Sequence, residues 1–146
     1  MRGKLRGNPA FVVILTEAVA DEGSIHINKN RMLSLQEIQK KIIAFRDARD
    51  WKQFHTPKDL ATGLILEAGE VAEHFLWKDE AEIAEYLKTH KEEIGDEMGD
   101  VLNYLLIMAN DFGIDLLDAT DKKIDKNARK YPVEKSKGKH TKYTEL

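Results

Sequence analysis

Two short acidic patterns in this chain of 146 residues have types and spacing that can do chemistry. Glu67 and Glu70 form E-x-x-E within "LILEAGEVAEHFLW", and Glu97 and Asp100 form E-x-x-D within "EEIGDEMGDVLNYLLIM". Residues three apart on a helix are neighbours, so each pair lines one wall. By helical phase, Glu67 borders an apolar stripe of Leu60, Leu64 and Val71, and Glu97 borders one of Ile94, Val101 and Met108. Four carboxylates facing one another are prohibitive on their own, because like charge and burial both oppose ionisation. A hard divalent cation such as Mg²⁺ or Mn²⁺ prefers oxygen ligands and resolves the conflict. A single such pair is ordinary on a solvated face. Two pairs with matching apolar flanks make a shared cation site as good a reading as two solvated pairs. Gly63, Gly69 and Gly99 are costly inside helices, which points to close helix packing or to room for a ligand.

Other residues offer binding chemistry. Trp51, Phe54 and His55 in "DWKQFH", together with Trp77, suit stacking on a planar ring and equally suit a place in the core. Lys123, Asn127 and Lys130 recur at i, i+4 and i+7 of a helical pattern. Such a stripe fits contacts to phosphates and a sugar, against the plainer reading of a solvated lysine face. His26, His74, His90 and His140 have no metal-ligand spacing.

Helices are needed to position these groups. Ser34 and Glu37 form a capping box, and Leu35, Ile38, Ile42 and Phe45 follow at helical spacing, which predicts a first helix to about Arg49. "DWKQFHTP" is a break, and its proline suits the first turn of a second helix from Pro57 to Trp77. A third helical stretch covers Ala81 to Phe112, with an interruption expected near Lys88–His90. Phe112-Gly113 caps it, and a fourth helix spans Asp115 to Lys130 until "YP" stops it. The expectation is an all-α, four-helix bundle over residues 33–134, with a basic, extended tail over 135–146. Residues 1–32 show no sustained period; Phe11–Leu15 and Ile25–Ile27 read as short strands of a loosely attached extension, or of a segment upstream of a start at Met32.

Composition removes several classes. Net charge is −3, so there is no general drive toward nucleic acid or anionic membrane. The absence of cysteine removes disulfides and thiolate metal sites and fits the cytoplasm. No apolar run approaches the roughly 20 residues needed to span a bilayer. The faint leader pattern around Ala10–Leu15 is short and is followed by Glu17. A di-iron carboxylate bundle needs Glu-x-x-His on two helices, and here His74 follows Glu70 by four with no second such pair.

With these residues in view, the chain resembles the MazG-like all-α nucleotide pyrophosphohydrolases, and among them the dCTP pyrophosphatase branch. The resemblance rests on "FRDARDWKQFHTPKDLA", "EAGEVAEHFLWK", "DEMGDVLNYLL", "KIDKNARKYPVEKSKG" and "KYTEL". It implies hydrolysis of a nucleoside triphosphate between the α and β phosphates, with dCTP or a modified dCTP as substrate, in nucleotide-pool sanitation. It implies Mg²⁺ on Glu67, Glu70, Glu97 and Asp100, with Glu67 or Glu70 as the catalytic base. Trp51 and Trp77, with His55 and Tyr104 nearby, match the base pocket of the family, and Lys123, Asn127, Lys130 and Tyr131 match its sugar and phosphate contacts. A homodimer or homotetramer is implied as well. Two positions depart from the branch: Ile42 stands where some members present a histidine to the base, and Asn103 stands where an apolar residue is usual. The alternative is a non-catalytic metal- or nucleotide-binding module whose acids are solvated.

Overall fold

The computed structural model describes residues 33–145. The extension over 1–32, with its expected strands, lies outside the described residues. Every regular element among the described residues is helical. The order is α1 Leu35–Asp47, a 3₁₀ turn Trp51–Phe54, α2 Pro57–Glu73, α3 Glu80–Thr89, α4 Lys91–Phe112, α5 Leu116–Lys130, α6 Val133–Ser136 and a 3₁₀ turn Tyr143–Glu145. The described chain falls into two compact units, one ending at Met108 and one beginning at Ala109.

Local chemistry sets the helix starts. The Ser34 and Glu37 box opens α1 as expected, with each side chain bonded to the other's backbone N–H. Thr56 caps α2 by accepting from the Asp59 N–H, and Pro57 occupies the first turn, where its missing N–H costs nothing. A second capping box, Asp79 with Glu82, starts α3, and the long third stretch divides where an interruption was expected, as the backbone leaves helical geometry at His90. Asp115 caps α5, after Gly113 has ended α4 at a φ of 66°. Helix α2 stops at Glu73, four residues before the expected Trp77, and the chain turns with Trp77 itself left-handed at a φ of 64°. The tail is also more ordered than an extended strand, since α6 and the last 3₁₀ turn interrupt it.

In the first unit the core gathers Ile42, Leu60, Ile94, Tyr104, Leu106 and Ile107. Gln39 of α1 donates to the Leu106 carbonyl of α4 at 3.1 Å, tying the two helices. At the junction of α2 and α3, His74 Nδ1 lies 2.9 Å from the Tyr86 hydroxyl, and the His90 ring stacks on Tyr86 at 3.7 Å. The glycines differ in purpose. A Cβ on Gly63 would fall 2.4 Å from the Tyr104 ring, so α2 and α4 meet there with nothing between backbone and ring. Around Gly69, Gly95 and Gly99 a Cβ would meet nothing within 4 Å.

That contrast gives a prediction for stability. Gly95→Ala, in an exposed turn of α4, should raise unfolding free energy by about 0.5–1 kcal/mol through helix propensity alone. Gly63→Ala should lower it, because overpacking outweighs propensity. Urea denaturation of the two variants checks both signs, and a stabilising Gly63→Ala would refute the close contact.

Candidate active site

Three contacts place α2 and α4 in one antiparallel register. Gly63 meets the Tyr104 ring. One turn further along α2 and one turn back along α4, the charges of Glu67 and Asp100 act on the same phenol. A further turn brings Glu70 to Glu97, whose carboxyls are hydrogen-bonded. The carboxylate oxygens of Glu67, Glu70 and Glu97 come within 4.8 Å of one another. The acids of α2 and α4 therefore face each other between the two helices, with Asp100 acting on the group through its charge.

The electrostatics follow from that proximity. Glu67 is only 6% exposed. Burial, then the charges of Glu70, Asp100 and Glu97, push its carboxyl up to about 7. Glu97 is raised by burial first, then by the charges of Glu70 and Asp100 and by its side-chain hydrogen bond with Glu70. Burial also raises Asp100, opposed by a hydrogen bond from Asn103 Nδ2 at 3.2 Å. The Tyr104 phenol is pushed up to about 12 by burial and by Glu67 and Asp100, so it stays protonated. Among the described residues no lysine or arginine pairs with any of these four acids. An unpaired, half-dry set of carboxylates fits a hard divalent cation: oxygen donors only, converging, and short of positive charge.

The other expected residues are distributed. Trp51 is half-buried in its 3₁₀ turn, edge-on to Phe45 at 5.8 Å with the Arg49 guanidinium 5.8 Å from its ring. His55 is half-buried just after that turn. Trp77 is 91% exposed, so its indole stands in solvent in the isolated chain. Ile42, in the place of the family histidine, is buried. In the second unit, Lys123, Asn127 and Lys130 are exposed on α5, and Tyr131 is its C-cap, donating its N–H to the Asn127 carbonyl. Lys130 Nζ lies 4.8 Å above the Tyr143 ring, and Tyr131 meets the same ring edge-on at 5.9 Å.

Three further residues were given no role by the sequence reading. Asn103 orients Asp100, and its signal was the i+3 spacing from that acid. Asp96 adds negative charge to Glu97 and Asp100 from the same helix. Arg46 is 2% exposed, with its Nε 2.8 Å from Asp47 Oδ1, and nothing in its spacing announced a buried charge.

Known proteins place this architecture. The model of the MazG-like family matches residues 64–146, a span that contains all four acids. The dCTP pyrophosphatase 1 of Rattus norvegicus is 40% identical over 115 residues, covering 77% of this chain and 68% of that protein. Its counterpart in Homo sapiens is 37% identical over the same coverage. Among solved structures, a pyrophosphatase from Archaeoglobus fulgidus aligns with a TM-score of 0.65 at 37% identity, over 70% of this chain and 95% of its own. The chain belongs to the MazG-like family, on its dCTP pyrophosphatase branch, and is a hydrolase of the nucleotide pyrophosphatase class.

Proposed function

We propose that the chain hydrolyses dCTP or a modified dCTP between the α and β phosphates, with Mg²⁺ as its cofactor and Mn²⁺ as a substitute. The observation that carries this reading is the convergence of Glu67, Glu70 and Glu97 within 4.8 Å, with Asp100 one turn away and, among the described residues, no lysine or arginine paired with them. A divalent cation held by these four would neutralise them and screen the triphosphate as the anhydride bond breaks. Glu67, titrating near neutrality in the metal-free chain, is suited to take the proton of the attacking water, with Glu70 beside it. The water oxygen bonds to phosphorus, the bridging P–O bond breaks, and monophosphate and pyrophosphate leave. Lys123, Asn127, Lys130 and Tyr131 are assigned to sugar and phosphates, where ammonium groups offset the charge of the triphosphate from binding onward. Trp51, His55, Trp77 and Tyr104 are assigned to the base.

The proposed assembly is a homodimer or homotetramer. Ile65, Leu66 and Met98, exposed on α2 and α4, and the solvent-facing Trp77 support it. No helix among the described residues is long and apolar enough to cross a membrane. The proposed setting is cytoplasmic, in cleansing the nucleotide pool.

The direct test incubates purified protein with Mg²⁺ and a panel of dNTPs and NTPs, including 5-methyl-dCTP, and separates products by ion exchange. Monophosphate and pyrophosphate, formed fastest from a cytosine deoxynucleotide, are expected. The same products from another base would discard cytosine and retain the chemistry. Glu67→Gln should lose at least about 10²-fold in kcat, the lower range for general-base catalysis, while melting cooperatively. Unchanged turnover in that variant would remove Glu67 from its role.

The acid cluster also sets a pH dependence. The folded-state value of Glu67 lies above its ordinary 4.5, near 7, so the folded state binds this proton more tightly than the unfolded state. Its stabilising contribution is complete below about pH 4.5 and is lost as pH rises through 7. In chelator, the difference in stability between wild type and Glu67→Gln should shift over that window by about 2–3 kcal/mol against the wild type. Added Mg²⁺ should raise the wild-type Tm at pH 7.5 and have little effect at pH 5, where protons compete for the ligands. A flat difference curve would show that Glu67 ionises without cost.

A further inference from the structure

The C-terminal segment does more than trail from α5. After Pro132 and the single turn of α6, Gly138 adopts a φ of 74°, a left-handed conformation that glycine takes without penalty. The Lys139 N–H donates back to the Ser136 carbonyl at 3.0 Å and tightens this turn. The chain then returns far enough for Tyr143 to reach the end of α5, where its ring does two things at once. Its face lies under Lys130 Nζ at 4.8 Å, within the ~6 Å reach of a cation–π contact. It also meets the Tyr131 ring at 5.9 Å with planes 80° apart, the edge-to-face arrangement that aromatic quadrupoles favour.

Lys130 ends the helix and Tyr131 caps it, so both backbones are already held. What remains free is the long lysine side chain, whose rotamers carry a large entropy that any bound anion must overcome. A ring beneath the ammonium restricts those rotamers without neutralising the charge or using up all its N–H donors.

We propose that Tyr143 is a positioning residue for substrate binding: the returning tail presents its ring to Lys130 and Tyr131 and holds the lysine ready for the triphosphate. This rests on the assignment of Lys130 to the phosphates made above. The aromatic face carries the effect, so the phenol hydroxyl is dispensable.

The test uses the full chain, steady-state kinetics with Mg²⁺ and dCTP, or with the nucleotide the panel ranks first, and one spectroscopic readout. Tyr143→Leu keeps apolar bulk and removes the π face. It should raise KM about three- to tenfold and leave kcat within about twofold, as expected when a modest cation–π contact preorganises a binding group. Tyr143→Phe should stay close to wild type in both constants. Lys130→Ala should raise KM at least as far, and adding Tyr143→Leu to it should change little more, because the ring acts through the lysine. With lysines reductively ¹³C-methylated, the Lys130 resonance should sit upfield under the ring current and move downfield in Tyr143→Leu.

Several results would overturn the inference. They are an unchanged KM in Tyr143→Leu, a Phe variant as impaired as the Leu variant, a full further loss on the Lys130→Ala background, or a Lys130 resonance that ignores the ring. An unchanged KM in Lys130→Ala is a different failure: it removes Lys130 from the phosphate site, and with it the ground on which Tyr143 was assigned. Cooperative melts of each variant separate these outcomes from misfolding.

Discussion

The structure turns on the mutual repulsion of carboxylates that the fold forces together. Glu67, Glu70 and Glu97 converge within 4.8 Å on two helices, and Asp100 joins their field. Helices that bring such groups into contact lose stability unless something else draws them together. Here that is the apolar stripe on each helix, together with the bare backbone of Gly63, which lets α2 come up to the Tyr104 ring. Hydrophobic closure thus holds an electrostatic strain open to a ligand. A site that is costly when empty is well placed to bind a cation, because the cation's gain includes relief of the repulsion.

The remaining elements serve this pair by setting its phase. Thr56 and Pro57 fix where α2 begins, and so which way Glu67 points. The break at His90 lets α4 start afresh after α3, and the stack of His90 on Tyr86 pins that break to the helix before it. Asn103 then turns Asp100 by a direct hydrogen bond. None of these residues needs to touch a ligand; each limits the directions in which the acids can point.

Much of this was legible because helices write their faces into the sequence. The i, i+3 acids, their apolar neighbours, the Ser34 box and the Pro57 start are all local patterns, and all were found where expected. The Asp79 and Glu82 box was equally local, yet it was hidden in what read as a short link, so the cap that opens α3 was passed over, whereas the break at His90 falls where an interruption was expected. Other features were not local. That Gly63 meets Tyr104 while Gly69 and Gly99 meet nothing depends on which helix packs where. The exposure of Trp77 and the burial of Arg46 are likewise tertiary facts, invisible to spacing. The curl of the tail back to Tyr131 depends on one glycine at a positive φ and an aromatic pair twelve residues apart, which no periodicity encodes.

The shared register of α2 and α4 has a consequence for how such a gene can vary. One codon inserted between Gly63 and Glu70 would rotate the rest of α2 by about 100° and carry Glu70 away from Glu97 while Gly63 stayed in place. The same holds for α4 between Glu97 and Tyr104. A change of length in the turn around Lys78 or at the joint at His90 would leave that register intact, so the two helices tolerate variation in their connections better than in their length between these residues.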